Sequence, residues 1–478
     1  MKLTDQHLFR LLLVIGLLLT FFLPPTDPDL GWQLRCGQQI WQQGQLCHRN
    51  QFSLLLANYP WAHSDSLYQA LIYPFYQLFN LWGLSFLNGL LIAASFLIFI
   101  SLSGQKELKI ISLPLIILLC WSVFSFGLRG QLLSFFYFLV LLKLIELAHS
   151  GQIKQFWLAI PLMWLWANSH GGFVLGLLLL AVFFLTKLKQ PQVTLIVFLS
   201  FVATLFNPFG FQIHQEAWRH FQGLPLAKLI AEWVPPNFPF RILIFLLLIL
   251  SLAANCLTKK QDLRFFKFLS LLGLAFLAFK ARRNLPFFFI FTAYSLASSA
   301  RKQANTIAGP LAILVILAIF SLGFFFQLPK TLLINSNWIR FCQAGQVNYP
   351  YDAVEFLRAQ SKAKPSTNNI FNRYEWGGFL IWQLPEYKVF VDGRMPAWFI
   401  SPADKSPYTI YLETLQTQPG WQKTLNKYHL NWILISPGTF MDLKLQPKPT
   451  RFGWQEVYRN ENSVIYKRNS PNKTQKGG

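Results

Sequence analysis

The sequence predicts a polytopic α-helical membrane protein that ends in an extracytoplasmic α/β domain. Long apolar blocks recur along the N-terminal part of the chain. Positive charge alternates between the loops that separate these blocks, and strand and helix patterns alternate near the C-terminus. The chain has 478 residues, of which 53% are hydrophobic and only 13% are charged, and its mean hydropathy is +0.36. A chain with this composition is too apolar to be a soluble protein of this size.

The transmembrane domain is predicted to comprise residues 1–327, with about eleven apolar blocks that approach the roughly 20 residues a helix needs to cross a bilayer. The blocks lie near residues 8–23, 84–102, 110–128, 132–147, 156–168, 172–186, 192–207, 240–257, 265–279, 285–299 and 307–327. No small-residue cleavage site follows the first block, so we interpret it as a retained span and not as a signal peptide.

The distribution of Lys and Arg predicts the orientation, because cytoplasmic loops carry an excess of both. With the N-terminus inside, the inner loops contain Lys106, Lys109, Lys143, Lys154, Lys187, Lys189, Lys259, Lys260, Arg264, Arg301 and Lys302. Loops 24–83 and 208–239 and all residues after 328 are then outside. Membrane orientation therefore accounts for much of the net charge of +23, so this charge does not indicate nucleic acid as a partner. The predicted location is the plasma membrane, with the lipid bilayer as a partner.

Four cations depart from this pattern on the predicted outer side. Arg129 lies in one outer turn, and Lys280, Arg282 and Arg283 lie in another. A cation that is kept on the disfavoured side needs another reason, and an anionic lipid headgroup or a phosphate provides one. The alternative is that these cations only anchor the turn to headgroups, or pair with a carboxylate such as Glu232.

The segment Thr26-Asp27-Pro28-Asp29 directly follows the first apolar block. Carboxylates at the mouth of a membrane helix are costly to desolvate, and are therefore candidate site residues. Pro28 favours an extended conformation of Asp27, which would put the side chains of Asp27 and Asp29 on one face. Together they could hold one cation or accept one proton. Asp29 also suits the N-cap of a helix that begins near Trp32, whereas Asp27 has no such local role.

The two long outer loops contain three further candidates. His63 and Asp65 could belong to the site, although Ser64 or Asp65 also suits the N-cap of an amphipathic helix predicted over residues 67–79. In the second loop, Glu232 lies between apolar residues and a double proline, which is unusual for a solvated surface. It is either a site residue or the ion-pair partner of a nearby arginine.

Motifs for nucleotide or metal chemistry do not appear in the sequence. No Walker-type or dinucleotide-binding glycine motif is present, and no Cys/His spacing resembles a zinc site. We therefore expect no nucleotide cofactor, and leave a divalent metal open. Cys36 and Cys47 share the first outer loop, where oxidation is possible, and could form a disulfide.

Residues 328–468 form the predicted extracytoplasmic α/β domain, and residues 469–478 a polar, disordered tail. Strands are predicted over 369–372, 388–392 and 431–435, helices over 351–360, 376–384 and 420–428, and a closing hairpin over 454–467. This alternation suggests an open, partly parallel sheet. Ligands bind outside the carboxyl ends of such strands, which predicts a binding edge with Asn372, Tyr374, Glu375, Asp392 and Arg394.

Four short segments resemble the GT-C superfamily of membrane glycosyltransferases, and in particular the catalytic subunit of oligosaccharyltransferase. The start of the first outer loop, with D-P at Asp27 and R at Arg35, is similar to that family's D-P-x-x-x-Y-R. The segment L-I-A-E that ends at Glu232 resembles its S-V-S-E, whose glutamate lies at the acceptor side. R-N-L-P, beginning at Arg283, falls where the family has an arginine before an apolar span. Y-E-W-G-G, beginning at Tyr374, is similar to its W-W-D-Y-G region.

The chain also departs from this family. The outer turn between the third and fourth predicted spans carries Arg129 where the family has acidic metal ligands. This argues against a divalent metal without excluding one. The first outer loop also resembles that of bacterial enzymes that transfer sugars to lipid A, lipopolysaccharide or cell-wall polymers, and the sequence does not choose between these branches.

The resemblance implies an inverting transfer of a sugar from a polyprenyl-(pyro)phosphate-linked donor to an extracytoplasmic lipid, glycan or protein acceptor. It implies Asp27 as the general base, with Asp29 and Glu232 as further catalytic residues. Cations near the membrane surface stabilise a phosphate leaving group, which indicates Arg129, Arg282 and Arg283. The expected acceptor-side residues are His63, Asp65, Tyr374, Glu375, Trp376, Asp392 and Arg394.

The alternative function is that of a non-enzymatic flippase or binding protein for lipid-linked glycans. A transporter is expected to carry charged residues at mid-membrane depth, whereas the ionisable residues here concentrate at the predicted outer mouth. Only the segment 168–172, N-S-H-G-G, favours transport, and we interpret it as a tight outer turn.

Overall fold

The computed structural model describes residues 20–104, 127–222, 232–299, 348–361, 368–395 and 404–469, with isolated positions near 14–18, 108–120, 230 and 398. The chain divides into two compact units. The helical unit comprises Met1–Pro25 and Ala62–Asn335, and the sheet unit comprises Thr26–Trp61 and Ser336–Gly478. The predicted domain boundary near residue 327 lies outside the described residues and stays a prediction, as does the disordered tail.

The α-helices with described bounds are numbered here in chain order. They are α1 (Leu30–Gln43), α2 (Ser66–Ser101), α3 (Gly130–His149), α4 (Ile153–Phe156), α5 (Ala159–Ala167), α6 (Phe173–Thr186), α7 (Pro191–Ala203), α8 (Gln212–Gln222), α9 (Phe238–Asn255), α10 (Gln261–Lys280), α11 (Leu285–Ser299), α12 (Tyr351–Ser361), α13 (Gly377–Gln383), α14 (Pro407–Leu415), α15 (Trp421–Lys427) and α16 (Phe440–Leu445). The strands are β1 (Asn368–Asn372), β2 (Tyr387–Val389), β3 (Trp432–Ile435), β4 (Trp454–Arg459) and β5 (Val464–Arg468).

The helical unit is built from the apolar blocks of the sequence. The blocks predicted between residues 84 and 299, as far as they are described, coincide with α2, α3, α5–α7 and α9–α11. α2 changes direction at Asn80, whose φ is 52° and ψ is −143°, and this kink separates the predicted amphipathic segment from the apolar one. Among the described residues, α2, α3 and α9 are long and apolar enough to cross a membrane, and α6 and α7 are shorter apolar helices. The number of spans and the topology stay predictions.

Two lysines of the predicted inner loops contact neighbouring helices of this unit. Lys187, just after α6, forms a 2.6 Å ion pair with Asp262 in the first turn of α10. Lys260 Nζ donates to the carbonyl of His149, the last residue of α3, at 3.3 Å.

The sheet unit contains a mixed sheet of strand order β2-β1-β3-β5-β4. β1 pairs in parallel with β2 and β3, whereas β5 pairs antiparallel with β3 and β4. The described strands therefore agree with the predicted partly parallel sheet and closing hairpin. β2 ends at Val389, earlier than expected, so that Asp392 lies beyond the strand. Helices α14 and α16 were not predicted; each begins with a hydroxyl side chain, Ser406 or Thr439, that caps its first turn.

Part of the first outer loop is integrated into the sheet unit. Leu54 N donates to Val389 O at 2.9 Å and Val389 N donates to Phe52 O at 3.1 Å, so this segment lies alongside β2. Helix α1 packs on α13 so closely that a Cβ at Gly31 would lie 1.9 Å from the carbonyl oxygen of Gly378. A disulfide joins Cys36 to Cys47, which confirms the possible bond between them.

Candidate active site

Several turns of the helical unit that the sequence places outside meet in one ionic cluster, here called the outer-turn cluster and comprising Asp65, Arg129, His170, Glu232 and Arg283. Arg129 Nη1 donates to Glu232 Oε1 at 2.6 Å. The backbone N–H of Arg283 donates to the carbonyl of Glu232 at 3.1 Å. The charges of Arg129 and Arg283 act on His170, and the charge of Asp65 acts on Arg283. Residues that are far apart in sequence are thus close in space.

Local sequence explains how the two arginines are presented. Arg129 has extended backbone angles, φ −150° and ψ 158°, in the position before α3. Arg283 lies in a 3-10 turn between α10 and α11, and Asn284 Nδ2 closes this turn on Leu277 O at 3.0 Å. The neighbouring Arg282 N donates to Val234 O at 3.2 Å, so the turn also holds the segment that carries Glu232.

The charges of the outer-turn cluster keep Glu232 ionised. Burial raises the pKa of the Glu232 carboxyl, but Arg129 and Arg283 lower it by more, and its pKa is below the ordinary value. Burial lowers the pKa of Arg283, while Glu232 and Asp65 oppose that shift. The Arg283 guanidinium also lies over the ring of Trp233, 4.4 Å from its centroid, a contact that favours a cation. Glu232 is therefore the ion-pair partner of an arginine, one of its two predicted roles; its catalytic role stays a prediction.

Arg282, Asp65 and His63, the remaining candidates in the helical unit, each have contacts of their own. Arg282 is exposed, and its backbone N–H, as described above, contacts Val234. Asp65, a member of the cluster, occupies the N-cap position of α2, but its side chain makes no cap hydrogen bond, so its predicted capping role is met in position only. Its N–H donates to His63 Nδ1 at 3.2 Å. The His63 ring packs against Phe209, with ring centroids 5.1 Å apart.

The sheet unit contains a second cluster of candidates, here called the sheet-edge cluster and comprising Asn50, Ser53, Asp392 and Arg394. Arg394 Nε and Nη2 donate to the two oxygens of Asp392 at 2.7 and 2.8 Å. Nη2 also donates to Ser53 Oγ at 3.0 Å and to Asn50 Oδ1 at 3.2 Å, and Ser53 Oγ donates to Asp392. Burial raises the pKa of Asp392, but Arg394 lowers it by more.

Aromatic rings surround the guanidinium of Arg394. The rings are those of Trp32, Phe52, Trp61 and Trp398, with centroids 5.1–6.0 Å from its central carbon. The side chains of Asp392 and Arg394 are both 0% exposed. This arrangement can attach the first-loop segment to the sheet, and it leaves no exposed charge at either side chain.

Asp27 and Asp29 lie together in the sheet unit, beside the carboxyl end of β2. The Asp29 N–H donates to Asp27 Oδ1 at 3.3 Å, and Asp27 is buried. Asp29 occupies the N-cap position of α1, but its Oδ1 accepts from Trp32 Nε1 at 2.9 Å and its side chain makes no cap hydrogen bond. A Cβ at Gly393 would lie 1.8 Å from Asp29 Oδ1, so a larger residue there would have to displace the Asp29 carboxylate.

The predicted acceptor-side residues of the 374–376 segment have different environments. Tyr374 OH donates to Gly393 O at 3.4 Å, and burial together with the nearby Asp29 charge raises the pKa of this phenol. Glu375 is partly exposed and pairs with Arg373 at 3.4 Å. Trp376 is buried, and its indole N–H donates to Asn348 O at 3.0 Å. Tyr374 and Glu375 are therefore at the edge of the sheet, whereas Trp376 packs inside the unit.

No candidate site for a divalent metal stands out in the part of the chain that the structure describes. Within the described ranges, no group of three or more His, Cys, Asp or Glu side chains has the geometry to hold an ion. Glu232, the carboxylate at the centre of the outer-turn cluster, is already paired with a guanidinium. We therefore derive no catalytic step through a metal.

Sequence analysis did not identify His170, Asn50 or Ser53 as site residues. His170 lies in a turn between two apolar blocks on the predicted outer side, and that position was the only available signal. Asn50 and Ser53 are ordinary polar loop residues in the sequence. Only their contacts with Arg394 give them a role.

No protein-family model matches the sequence, and no curated protein matches it. The structure is nevertheless similar to solved structures of the oligosaccharyltransferase of Archaeoglobus fulgidus. One is a crystal structure tethered to an acceptor peptide with the NVT sequon, with a TM-score of 0.61 and 12% identity over 97% of this chain and 74% of that chain. Another is a complex of this archaeal enzyme, AglB, with an inhibitory peptide and a dolichol-phosphate, with a TM-score of 0.63 and 12% identity over 99% and 76%.

A crystal structure of the same archaeal enzyme in the apo form gives a TM-score of 0.61 and 11% identity over 99% of this chain and 76% of that chain. The likeness extends over almost the whole chain, including both units. The chain therefore has the fold of these oligosaccharyltransferases, as the resemblance of the four short segments predicted. At this level of identity the likeness concerns the fold.

Proposed function

We propose that this chain is a membrane glycosyltransferase that moves a sugar from a polyprenyl-phosphate-linked donor to an extracytoplasmic acceptor. The shared fold raises this possibility, since archaeal AglB has been solved with a dolichol-phosphate and other structures of that enzyme carry an acceptor peptide. Fold alone does not determine function, so the proposal depends on the site.

The observation that carries the proposal is the outer-turn cluster. Arg129 and Arg283 are held by separate turns next to one ionised glutamate, at positions where the charge pattern of a membrane protein disfavours cations. Guanidinium groups bind phosphate oxygens through paired N–H donors. Two such groups suit the phosphate of a lipid-linked donor.

The proposed reaction is an inverting displacement at the anomeric carbon of the donor sugar. The acceptor oxygen or nitrogen forms a bond to this carbon while the bond from the carbon to the phosphate oxygen breaks. The electron pair leaves with the phosphate, whose growing charge Arg129 and Arg283 stabilise. The acceptor proton passes to a carboxylate, for which Asp27 is our candidate because it is buried beside a second carboxylate, Asp29.

Comparative mass spectrometry of lipid and surface glycans tests the function. Cells with the wild-type chain should contain a glycan that is absent without it and absent with Asp27→Asn at equal expression. Asp29→Asn should retain part of the product. Purified protein should also consume a polyprenyl-phosphate sugar in nanodiscs. Binding of the donor without turnover, and glycans unchanged by deletion, would instead identify a binding protein or flippase.

The proposed reaction requires Asp27 and the outer-turn cluster to face the outside, and cysteine labelling tests this topology. In a background with Cys256→Ser and Cys342→Ser, the exposed Leu443→Cys should react with an impermeant maleimide in intact cells. Lys259→Cys, in a predicted inner loop, should react only after permeabilisation. The opposite labelling pattern would reverse the topology and overturn the proposed function, because the donor phosphate would be on the wrong side.

A further inference from the structure

The turn between α5 and α6 carries a histidine whose two ring nitrogens have different environments. His170 Nδ1 is 3.1 Å from the backbone N–H of Gly172 and 2.7 Å from Ser134 Oγ. Ser134 Oγ itself accepts a hydrogen bond from Trp166 Nε1 at 2.8 Å. The Ser134 hydroxyl oxygen accepts this bond, and the hydroxyl proton can then be donated to His170 Nδ1.

These contacts determine the tautomer of the ring. Gly172 N–H can only donate, so Nδ1 must be the unprotonated nitrogen, and the proton of the neutral imidazole is on Nε2. His170 Nε2 has no hydrogen-bond partner among the residues that the structure describes, and the side chain is only partly buried. His170 therefore presents one uncharged N–H donor.

Two glycines and a buried tryptophan hold the ring in place. A Cβ at Gly130 would lie 3.0 Å from Cδ2 of His170, and a Cβ at Gly172 would lie 2.3 Å from Ser134 Oγ. Trp166 is 0% exposed and orients Ser134. The donor is thus positioned before any ligand arrives, which reduces the entropy that binding would cost.

The charges around His170 keep it neutral. Burial, together with the charges of Arg283 and Arg129, lowers its pKa to about 3. A protonated imidazole would add a third positive charge beside two arginines and would have to donate from Nδ1 toward another donor. A neutral N–H avoids both costs and still binds an anion, because an oxyanion accepts hydrogen bonds from uncharged donors.

We propose that His170 donates its Nε2–H to a phosphate oxygen of the ligand that Arg129 and Arg283 bind. This inference rests on the proposed function and adds a binding residue to it. The glycines and Ser134 would then be positioning residues, since they act on the ligand only through the ring. His170 is not assigned as a general base, because Nδ1 is already bonded and Nε2 carries the proton.

Binding of a short-chain polyprenyl monophosphate to the full-length protein in nanodiscs tests the proposal. His170→Phe keeps the ring volume but removes the donor, and should weaken binding about 10- to 100-fold. His170→Gln keeps an N–H donor near the position of Nε2 and should recover most of this loss. His214→Phe is the matched control, a partly buried histidine of the same unit that contacts Thr204, and should bind like wild type.

The outcomes separate this proposal from the function on which it rests. Wild-type affinity in His170→Phe, or equal loss in His170→Phe and His170→Gln with unchanged thermal stability, would overturn the role of His170 while Arg129→Ala still weakened binding. A binding step near pH 6–7 that disappears in His170→Gln would overturn the neutral tautomer. Absence of binding by the wild type itself would overturn the proposed function, and this inference with it.

Discussion

Arg394 of the sheet unit and Arg129 of the helical unit each pair with a carboxylate, but the surroundings of the two guanidinium groups differ. Arg394 and Asp392 are 0% exposed, and one carboxylate balances one cation. Arg129 and Glu232 remain 14% and 26% exposed, and a second cation, Arg283, acts on the same glutamate. The first pair is closed to solvent, whereas the second is open to it and lies beside a second cation.

This difference indicates which arginine binds a ligand. A buried ion pair must satisfy its own charges, because no solvent can do so. Ser53 and Asn50 accept hydrogen bonds from Arg394 Nη2, and aromatic rings surround the guanidinium, so that among the described residues only the buried Nη1 lacks a hydrogen-bond partner. We therefore infer that Asp392 and Arg394 stabilise the attachment of the first-loop segment, although the sequence predicted an acceptor-side role for both.

The largest expected effect on stability comes from the closed pair. Arg394→Ala leaves Asp392 buried without its cation and should destabilise the protein by about 3–5 kcal/mol. Lys405→Ala, which removes an exposed pair with Glu413, should change stability by about 0–1 kcal/mol. Thermal unfolding of the full-length protein in detergent measures both. Wild-type stability of Arg394→Ala combined with weaker acceptor binding would place Arg394 in the acceptor site instead.

The open pair should give the opposite result. Arg129→Ala removes a charge from the leaving phosphate, so the transfer rate should fall about 10²–10³-fold while thermal stability changes little. Arg219→Ala is the matched control, since Arg219 is exposed on α8 and pairs with Glu216. Initial rates with a polyprenyl-phosphate sugar provide the measurement. If unfolding and transfer were lost together, Arg129 would be a structural residue like Arg394.

Much of the fold could be predicted from the sequence because its patterns are local. Apolar blocks predicted the helices of the helical unit, and short apolar runs predicted β1 and β3. The parts that the sequence did not indicate depend on contacts between distant residues. Residues 52–54 read as an irregular loop, because only pairing with Val389 makes them an extension of the sheet.

The candidate site followed the same rule. Arg129 and Arg283 lie on the predicted outer side, where the excess of Lys and Arg in cytoplasmic loops makes cations unexpected. Both could therefore be selected from the sequence. Their common partner, Glu232, could be given only two alternative roles, because a sequence does not tell which arginine is close. Asp392 and Arg394 were assigned to ligand binding from their position after a strand, and the aromatic rings around them come from three separate segments.

A smaller effect is expected when the shape of a cation changes but not its charge. Arg283→Ala should weaken binding of polyprenyl monophosphate about tenfold or more, and Arg283→Lys should recover only part of this loss. Lysine keeps the charge but lacks the planar fork of donors and the stacking contact with Trp233. Equilibrium binding measures both variants. If Arg283→Lys bound like wild type, the turn would need only a positive charge, as a headgroup anchor does.

The smallest expected effect concerns the pH dependence of transfer. Because Arg129 and Arg283 outweigh burial and hold the pKa of Glu232 below its ordinary value, this carboxyl is ionised at every pH above about 5. Its contribution to stability is complete above the unfolded-state pKa and is lost only as the pH falls through the lower folded-state pKa.

The pH–rate profiles of wild type and Glu232→Gln should therefore have the same shape between pH 5.5 and 8, even if the variant is slower. A step present in the wild type and missing in Glu232→Gln would show that Glu232 exchanges a proton near neutral pH. It would then be a general acid or base, and the difference between a closed and an open pair would no longer describe its role.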